Sequence, residues 1–423
     1  MINKSKIDIV KITFYIAMVF GLLYLIGYGL FTENAPFGNI IFNYGSDSFS
    51  DFWECVKDNI TMQPYMAHSC YPAITNLLFT FFAKMVPASD PISYNLPASA
   101  LNQMIFIIYN IVVVSLFFAL INKCKSGNSY EKTIFLILIL LSAPFIYMLE
   151  RGNIIFVALI ALMAFVWGKD SKNKWIREIS YICLGFAAAI KIYPAVFGLL
   201  LLKDKNYKAA ARCIVYGLML FVIPFAAYDG LNSMKAMILN IMNTNLMFKE
   251  VTGLGYKVNM VSTLSVILGL LEIDKTAYHI EIIIAFFPYI YIVFAVFACL
   301  FQKSNWKTTA LLSSMIVLVP GYSYVYSLIF FLIPLIAFLD SKDKRTWVDW
   351  ICLVCFLAML IPIVFDIPSM FLAFQSGFRY TFGTFVQGIA VLIISIVLML
   401  EGLLYGIIRI NELLKFKINK VNK

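Results

Sequence analysis

Charge is scarce in this chain: 13% of its 423 residues are Asp, Glu, Lys or Arg, against about 25% in a soluble domain. Hydrophobic residues make up 62%, so a soluble globular protein is excluded. The longest mainly polar stretch, 32–70, is too short and too aromatic to fold as an ordinary domain. Histidine is nearly absent, with His68 and His279 alone, and no HExxH occurs. A His-built metal site is therefore not expected. Cysteine is sparse and lies mostly in apolar stretches, as with Cys183, Cys299, Cys352 and Cys355. Cys55 and Cys70 share one polar segment, where they either pair as a disulfide or remain two free thiols. No strong repeat relates the two halves, which argues against an inverted-repeat transporter.

What is present is membrane-grade hydrophobic sequence with short basic loops. The net charge is +10. Its Lys and Arg gather at Lys4/Lys6/Lys11, Lys123/Lys125/Lys132, Lys169–Arg177, Lys203–Arg212, Lys303/Lys307, Lys342–Arg345 and the tail from Lys415. That is the positive-inside pattern, so the excess reads as topology and not as a nucleic-acid surface. The first hydrophobic run, Ile7 to Phe31, is too long for a signal-peptide core. It reads as a retained first helix, with both chain termini cytoplasmic. The chain is expected to be one all-α, multi-pass membrane domain over 1–423. A full span needs about 20 residues, which suggests about ten to thirteen crossings, some of them broken or re-entrant. A bacterial plasma membrane suits the compact loops.

The polar residues inside this apolar sequence carry the chemistry. Glu150-Arg151-Gly152-Asn153 lies between two apolar segments, and Lys191-Ile192-Tyr193-Pro194 lies within a third, 179–202. A charge at membrane depth costs about 2.5–3.5 kcal/mol on insertion scales, so these residues need a partner or a function. Two topologies compete for the 133–202 region. In one, 179–202 is broken near Lys191; in the other it is a single helix with Lys191 at mid-membrane. Pro194 frees a carbonyl one turn back, and a lone Lys beside a cavity suits a phosphate as a point charge. Snorkelling to the interface is the plainer alternative. Arg151 either grips a phosphate in a bidentate way or pairs with a carboxylate. Asn153 either caps the next helix or binds ligand, and Gly152 serves the turn.

Three segments are expected outside. The 32–70 loop carries Asp47, Asp51, Glu54 and Asp58 among aromatics. Aromatics pack on the C–H face of a sugar, and a carboxylate can deprotonate a hydroxyl. A solvated amphipathic helix on the membrane surface is the competing reading. The 229–258 loop carries Asn240, Asn243, Asn245 and Lys257, and the 366–380 loop carries Asp366 and Arg379. Later, Asn259 and Ser262 open an apolar segment, and Tyr322, Tyr324 and Tyr326 surround a turn.

The string Glu150-Arg151-Gly152-Asn153, followed by Gly185 to Pro194 and four leucines, resembles the core signature of the polyprenyl-phosphate-mannose-dependent mannosyltransferases. These form glycosyltransferase family 87 of the GT-C superfamily. Asp51-Phe52, Pro64-Tyr65, Tyr71-Pro72, Asn259 with Ser262, and the Tyr-rich turn resemble further family elements. Ala73 stands where the family usually has a second proline, and the late turn lacks a histidine often found there. The resemblance implies a multi-span GT-C bundle with its active site on the outer face. It implies a polyprenyl-phosphate hexose donor, with mannose as the sugar, and a glycolipid or glycan acceptor. It implies inversion without a cofactor or metal. Asp51, with Asp47 as runner-up, would be the base; Lys191 and Arg151 would bind the donor phosphate. Glu150, Asn153, Tyr71, Tyr193, Asn259 and Tyr324 would contact substrate. A lipid-linked sugar flippase or polymerase is the alternative, and an ion-coupled transporter ranks below it.

Overall fold

The computed structural model describes residues 8–31, 49–87, 99–251, 256–273, 279–364 and 381–421, with the side chains of 244–251 and 413–421 left aside. Among the described residues the chain is helical, with one antiparallel backbone bridge between Lys257 and Tyr324. Asp47, Asp366 and Arg379 lie outside the described residues.

Among the described residues, five helices are long and apolar enough to cross a membrane singly: α1 (Ile9–Phe31), α4 (Ala100–Cys124), α10 (Tyr207–Val222, extended by a 3-10 turn to Ala227), α13 (Ile280–Phe301) and α17 (Phe382–Val421). The pair α5 (Ser129–Leu140) and α6 (Ala143–Arg151) bends by 67° and makes a sixth if taken as one span. Six further apolar helices have 10–17 residues. The about ten to thirteen crossings expected from segment length are therefore not met by long helices alone. Several apolar segments are broken instead. The long helices turn large apolar side chains outward, as α4 does with Ile107, Ile108 and Ile111 and α10 with Ile214, Val215 and Leu218. In a bilayer that surface faces lipid. By contrast α14 (Asn305–Leu318) is buried from Trp306 to Leu318, and α15 (Leu332–Leu339) is almost wholly buried beside it.

Small residues let the helices approach. α8 (Lys174–Ile190) packs between α7 (Ile155–Gly168) and α10. A Cβ on Gly185 of α8 would lie 2.8 Å from the Gly217 nitrogen of α10. Gly402 meets Ala298 where α17 crosses α13. This is the close backbone approach that takes the place of a hydrophobic driving force in lipid.

The basic loops meet acidic partners. Lys11 Nζ lies 2.6 Å from Glu131, Lys125 pairs with Glu131 and Asp340, and Arg345 reaches Asp8 at 2.5 Å. Lys169 pairs with Asp204 at 2.6 Å and Lys307 with Glu401 at 2.7 Å. Loops far apart in sequence are thus gathered by their charges.

Four readings need correction or sharpening. The 229–258 segment is mostly a helix, α11 (Gly230–Val251). Met234, Met237 and Ile241 recur at helical spacing and pack on Tyr65 and Phe225, while Asn240 Nδ2 donates to the Tyr65 and Ser69 carbonyls at 3.0 and 3.1 Å. Cys55 and Cys70 are free thiols: Cys55 is buried in α2 (Ser50–Ile60), and Cys70 Sγ turns to the His68 carbonyl. Cys352 and Cys355, though spaced C-x-x-C, are buried free thiols one turn apart in α16 (Trp347–Leu360). The 179–202 segment is broken: α8 stops at Ile190, Lys191 is extended (φ −139°, ψ 124°), and a 3-10 turn runs from Tyr193 to Gly198 before α9 (Leu199–Lys203).

Gly185→Val should overpack the α8–α10 crossing at about 1–3 kcal/mol. It should lower the thermal unfolding midpoint in detergent, whereas Gly27→Val, at a position with no atom within 4 Å of a built Cβ, should leave it unchanged.

Candidate active site

The site is built where α2 meets the turn between α6 and α7. α6 ends in a left-handed residue, Gly152 (φ 61°), and a Cβ there would fall 2.5 Å from Phe106 and 2.8 Å from Phe52. Only glycine fits both the dihedral and the space. That turn aims three side chains at the first turn of α2. Glu150 Oε1 accepts from the Phe49 amide at 3.2 Å, so a carboxylate sits at a helix N-terminus, where the backbone dipole favours it. Arg151 donates Nε and Nη2 to Asp51 Oδ1 at 3.1 and 2.7 Å. Asn153 donates Nδ2 to Asp51 Oδ2 at 2.6 Å, while its Oδ1 accepts from the Ile155 amide at 2.9 Å. Asn153 therefore both closes the turn into α7 and holds Asp51.

α2 is kept in place by its apolar face. Phe52 is fully buried against Phe79, Phe82, Phe106 and Tyr109, with ring centroids 5.0–5.7 Å away. Asp51, the residue before it and so about 100° around the helix, has a side chain 14% exposed.

Lys191 forms the second half. Pro194 has no N–H to give to the Ile190 carbonyl, so the α8 ladder ends there. That carbonyl accepts from the Thr75 hydroxyl of α3 (Ala73–Ala83) at 3.3 Å. The break leaves Lys191 half-buried, with Nζ 4.3 Å from the centroid of the Tyr71 ring, a cation–π contact. Tyr71 is pinned by its backbone: its carbonyl accepts from Asn76 Nδ2 at 3.2 Å and Tyr65 OH at 3.4 Å, and its amide donates to Ser69 Oγ at 3.4 Å. Asn59, Asn76, Ser69 and Thr80 bond one another behind it.

An aromatic wall completes the site. Tyr147 stacks between Tyr256 and Tyr326, each 5.7 Å away, and Tyr324 lies 5.8 Å from Tyr326. Tyr193 meets Phe330 edge-on at 6.2 Å. The charge of Asp51 acts on Lys191, Tyr71, Tyr147 and Tyr326 alike, so these groups share one site.

The residues singled out from sequence divide as follows. Asp51, Arg151, Asn153, Lys191, Tyr71 and Tyr193 converge, and Glu150 supports them through Phe49. Arg151 is engaged with Asp51 rather than standing open toward a phosphate. Asn259 is buried at the N-terminus of α12 (Met260–Leu270); its Oδ1 accepts from the Ser262 amide at 2.8 Å, and its Nδ2 donates to the Gly321 carbonyl at 2.7 Å. Its observed bonds hold the late turn in place. Tyr324 joins that turn to the 256–259 segment, where Val258 donates to the Ser323 carbonyl at 2.8 Å and Val325 to the Tyr256 carbonyl at 3.0 Å. Sequence reasoning missed Tyr147, Tyr256 and Thr75. Tyr147 was within reach, since it stands one helical turn before Arg151 and so shares its face.

Asp58, on the same helix as Asp51, has its carboxyl pushed up to about 7 by burial, with Glu54 adding to the shift. Its folded value lies above the unfolded one of about 4. The folded state then binds the extra proton, and the resulting stability is lost as pH rises through the folded value. The stability difference between wild type and Asp58→Asn should therefore change between about pH 4 and 7 and stay flat above, as read from thermal unfolding at a series of pH values.

Residues 70–322 match the model of glycosyltransferase family 87. No curated protein and no solved structure matches the chain. Tyr71, the Glu150–Asn153 turn, Lys191 to Pro194 and Asn259 lie inside the matched region; Asp51 lies before it and Tyr324 just after. Asp51 is joined to the family core by its bonds to Arg151 and Asn153. The match spans more than half of an all-α chain with several membrane-length helices, and the chain belongs to glycosyltransferase family 87, as a membrane glycosyltransferase.

Proposed function

We propose that the protein transfers a hexose, mannose by family likeness, from a polyprenyl-phosphate donor to a hydroxyl of a glycolipid or envelope glycan. The reaction is a single inverting displacement on the outer face of a bacterial plasma membrane, with both termini cytoplasmic. The acceptor oxygen attacks C1 of the sugar, and the bond from C1 to the phosphate oxygen breaks. The electron pair leaves with the polyprenyl phosphate, and the acceptor proton passes to Asp51.

The observation that carries this reading is the carboxylate of Asp51, held by Arg151 and Asn153 while its charge acts on Lys191. Each carboxylate oxygen has two lone pairs, so Oδ2 can accept from Asn153 and still take a hydroxyl proton. Holding a base in one orientation converts a loose encounter into a near-attack arrangement. Lys191, on a broken helix, supplies positive charge to the phosphate as it leaves. Tyr324 and Tyr326, half-buried at the open end of the stack, would pack against a sugar ring. Both catalytic charges come from the chain, and the reaction is proposed to need no metal. The alternative of a lipid-linked sugar flippase or polymerase has no specific feature in its favour.

Sugar transfer by the reconstituted protein, from labelled polyprenyl-phosphate-mannose into lipid extract with EDTA present, tests this reading. Asp51→Asn should lower transfer by about 10²–10⁴-fold in protein that still inserts and unfolds cooperatively, with a lowered thermal midpoint because Arg151 loses its charge partner, and Lys191→Ala should lower it at constant insertion. Full transfer by Asp51→Asn would remove the base assignment. Loss of wild-type transfer on adding EDTA would remove the metal-independent route.

A further inference from the structure

α11 carries an apolar face that the described residues leave uncovered. At about 100° per residue, Leu231, Ile238 and Met242 fall within about 40° of one another, with Leu239 about 60° to one side. All four are 48–72% exposed. Asn232 and Asn243, also exposed, lie beyond Leu239. The far side of the helix belongs to the protein. Ser233, Met237 and Asn240 are buried there. Met237 packs on Tyr65 and Phe225, and Asn240 donates to the Tyr65 and Ser69 carbonyls. The helix thus has three strips: one buried against the bundle, one apolar and bare, one polar.

α11 lies across one end of the bundle. The Tyr228 hydroxyl, just before its start, donates to Asn59 Oδ1 of α2 at 3.4 Å. Asn240, near its middle, holds the segment that leads to Tyr71. Tyr256, which follows it in the chain, stacks on Tyr147. All three points are at the end of the bundle where Asp51 and Tyr71 stand. The helix has 22 residues, but Asn, Ser and Lys dilute it, and it is not among those apolar enough to cross a membrane.

We infer that α11 is an in-plane membrane helix, seated through Leu231, Ile238, Leu239 and Met242 in the leaflet on the side of the active site. The occupant of the bare strip is lipid, for two reasons. First, the strip continues a surface already given to lipid. α10 turns Leu218, Met219 and Val222 outward, and a 3-10 turn (Ile223–Ala227) leads from there to α11. Second, the three strips are those that a helix at the interface needs: protein alongside, apolar side chains in the acyl boundary, and Asn232 and Asn243 toward headgroups and water. Lys235 falls inside the apolar strip, and its stem is long enough to carry the ammonium to the headgroups. In water the same four side chains would form an exposed apolar patch of the kind that soluble surfaces avoid. Seated in this way, α11 sets the Tyr65–Tyr71 segment against the leaflet through the two bonds of Asn240. The inference does not depend on which sugar is transferred.

The experiment uses the full-length protein in phosphatidylcholine–phosphatidylglycerol vesicles whose acyl chains carry a photoactivatable diazirine, with labelled residues mapped by mass spectrometry. Leu231, Ile238, Leu239 and Met242 should be labelled to the extent of Leu218 and Val222 on α10, with no label on buried Met237. Ile238→Asp combined with Met242→Asp should lose the label at Leu231 and Leu239 while α10 keeps its own. Ile238→Leu combined with Met242→Leu should retain it. A strip without label beside a labelled α10 would overturn the inference, as would an acidic pair that keeps the wild-type label at Leu231 and Leu239. Cross-links between two copies of the chain at these positions, in place of lipid label, would give the face to a second copy and overturn it too.

Discussion

The ion pair between Asp51 and Arg151 is the interaction on which the arrangement of this protein depends. α2 is a short polar helix that could float on a membrane surface. Its apolar face, led by Phe52, gives it affinity for the bundle, but burial alone is indifferent to rotation and sliding. Direction comes from the turn at Glu150–Asn153, which bonds the Phe49 amide and both oxygens of Asp51. Removing one partner of such a pair strands the other charge in a poorly solvated place, at about 3–5 kcal/mol where burial is complete. The clamp is therefore weak as a source of net stability and strong as a constraint on geometry. Gly152 is what lets the turn come close enough, because any side chain there meets Phe106 and Phe52.

The break after Ile190 is the second constraint. A helix interrupted in an apolar setting exposes a backbone carbonyl that water cannot reach, and leaving it bare is costly. Thr75 provides the missing donor from α3. The same helix starts just after Tyr71, whose ring underlies the Lys191 ammonium. One element thus satisfies the carbonyl that the proline frees and, through the residue before it, supports the cation that the break presents. The hydrogen-bonded cluster of Asn59, Ser69, Asn76 and Thr80 holds that element rigid against α2. Asp51 and Lys191 are consequently positioned by neighbouring parts of a single scaffold.

Much of this was legible in the residue order, and the part that was not has physical causes. Charges inside apolar sequence marked Glu150, Arg151 and Lys191, because such residues are too costly to keep without a partner or a task. Proline three residues past Lys191 marked the break. The pairing of Arg151 was left open between a phosphate and a carboxylate, since one sequence does not say which acidic group arrives from a hundred residues away. α11 was read as a loop because Asn, Ser and Lys dilute its apolar face; the Met and Ile at helical spacing decide it only once Tyr65 and Phe225 are there to receive them. Lys257 was noted as a loop charge, and its burial follows from a bridge to the late turn that periodicity does not reveal.

The two kinds of cation suit the two kinds of partner. A guanidinium presents its donors in a rigid fork, so it holds a planar carboxylate in one orientation and is poorly matched to a group that must arrive and depart. Arg151 uses that fork on Asp51, which is a permanent part of the protein. An ammonium is a compact charge on a flexible stem and tolerates the changing geometry of a phosphoryl group during displacement. Lys191 rests against Tyr71, and Lys257 lies over Tyr322. An aromatic face stabilises a cation without neutralising it, so under the proposed reaction Lys191 keeps its charge for an anion that comes later. A carboxylate in the place of Tyr71 would have cancelled that charge beforehand. Under the proposed reaction, this division assigns Arg151 to holding the base and Lys191 to the leaving group.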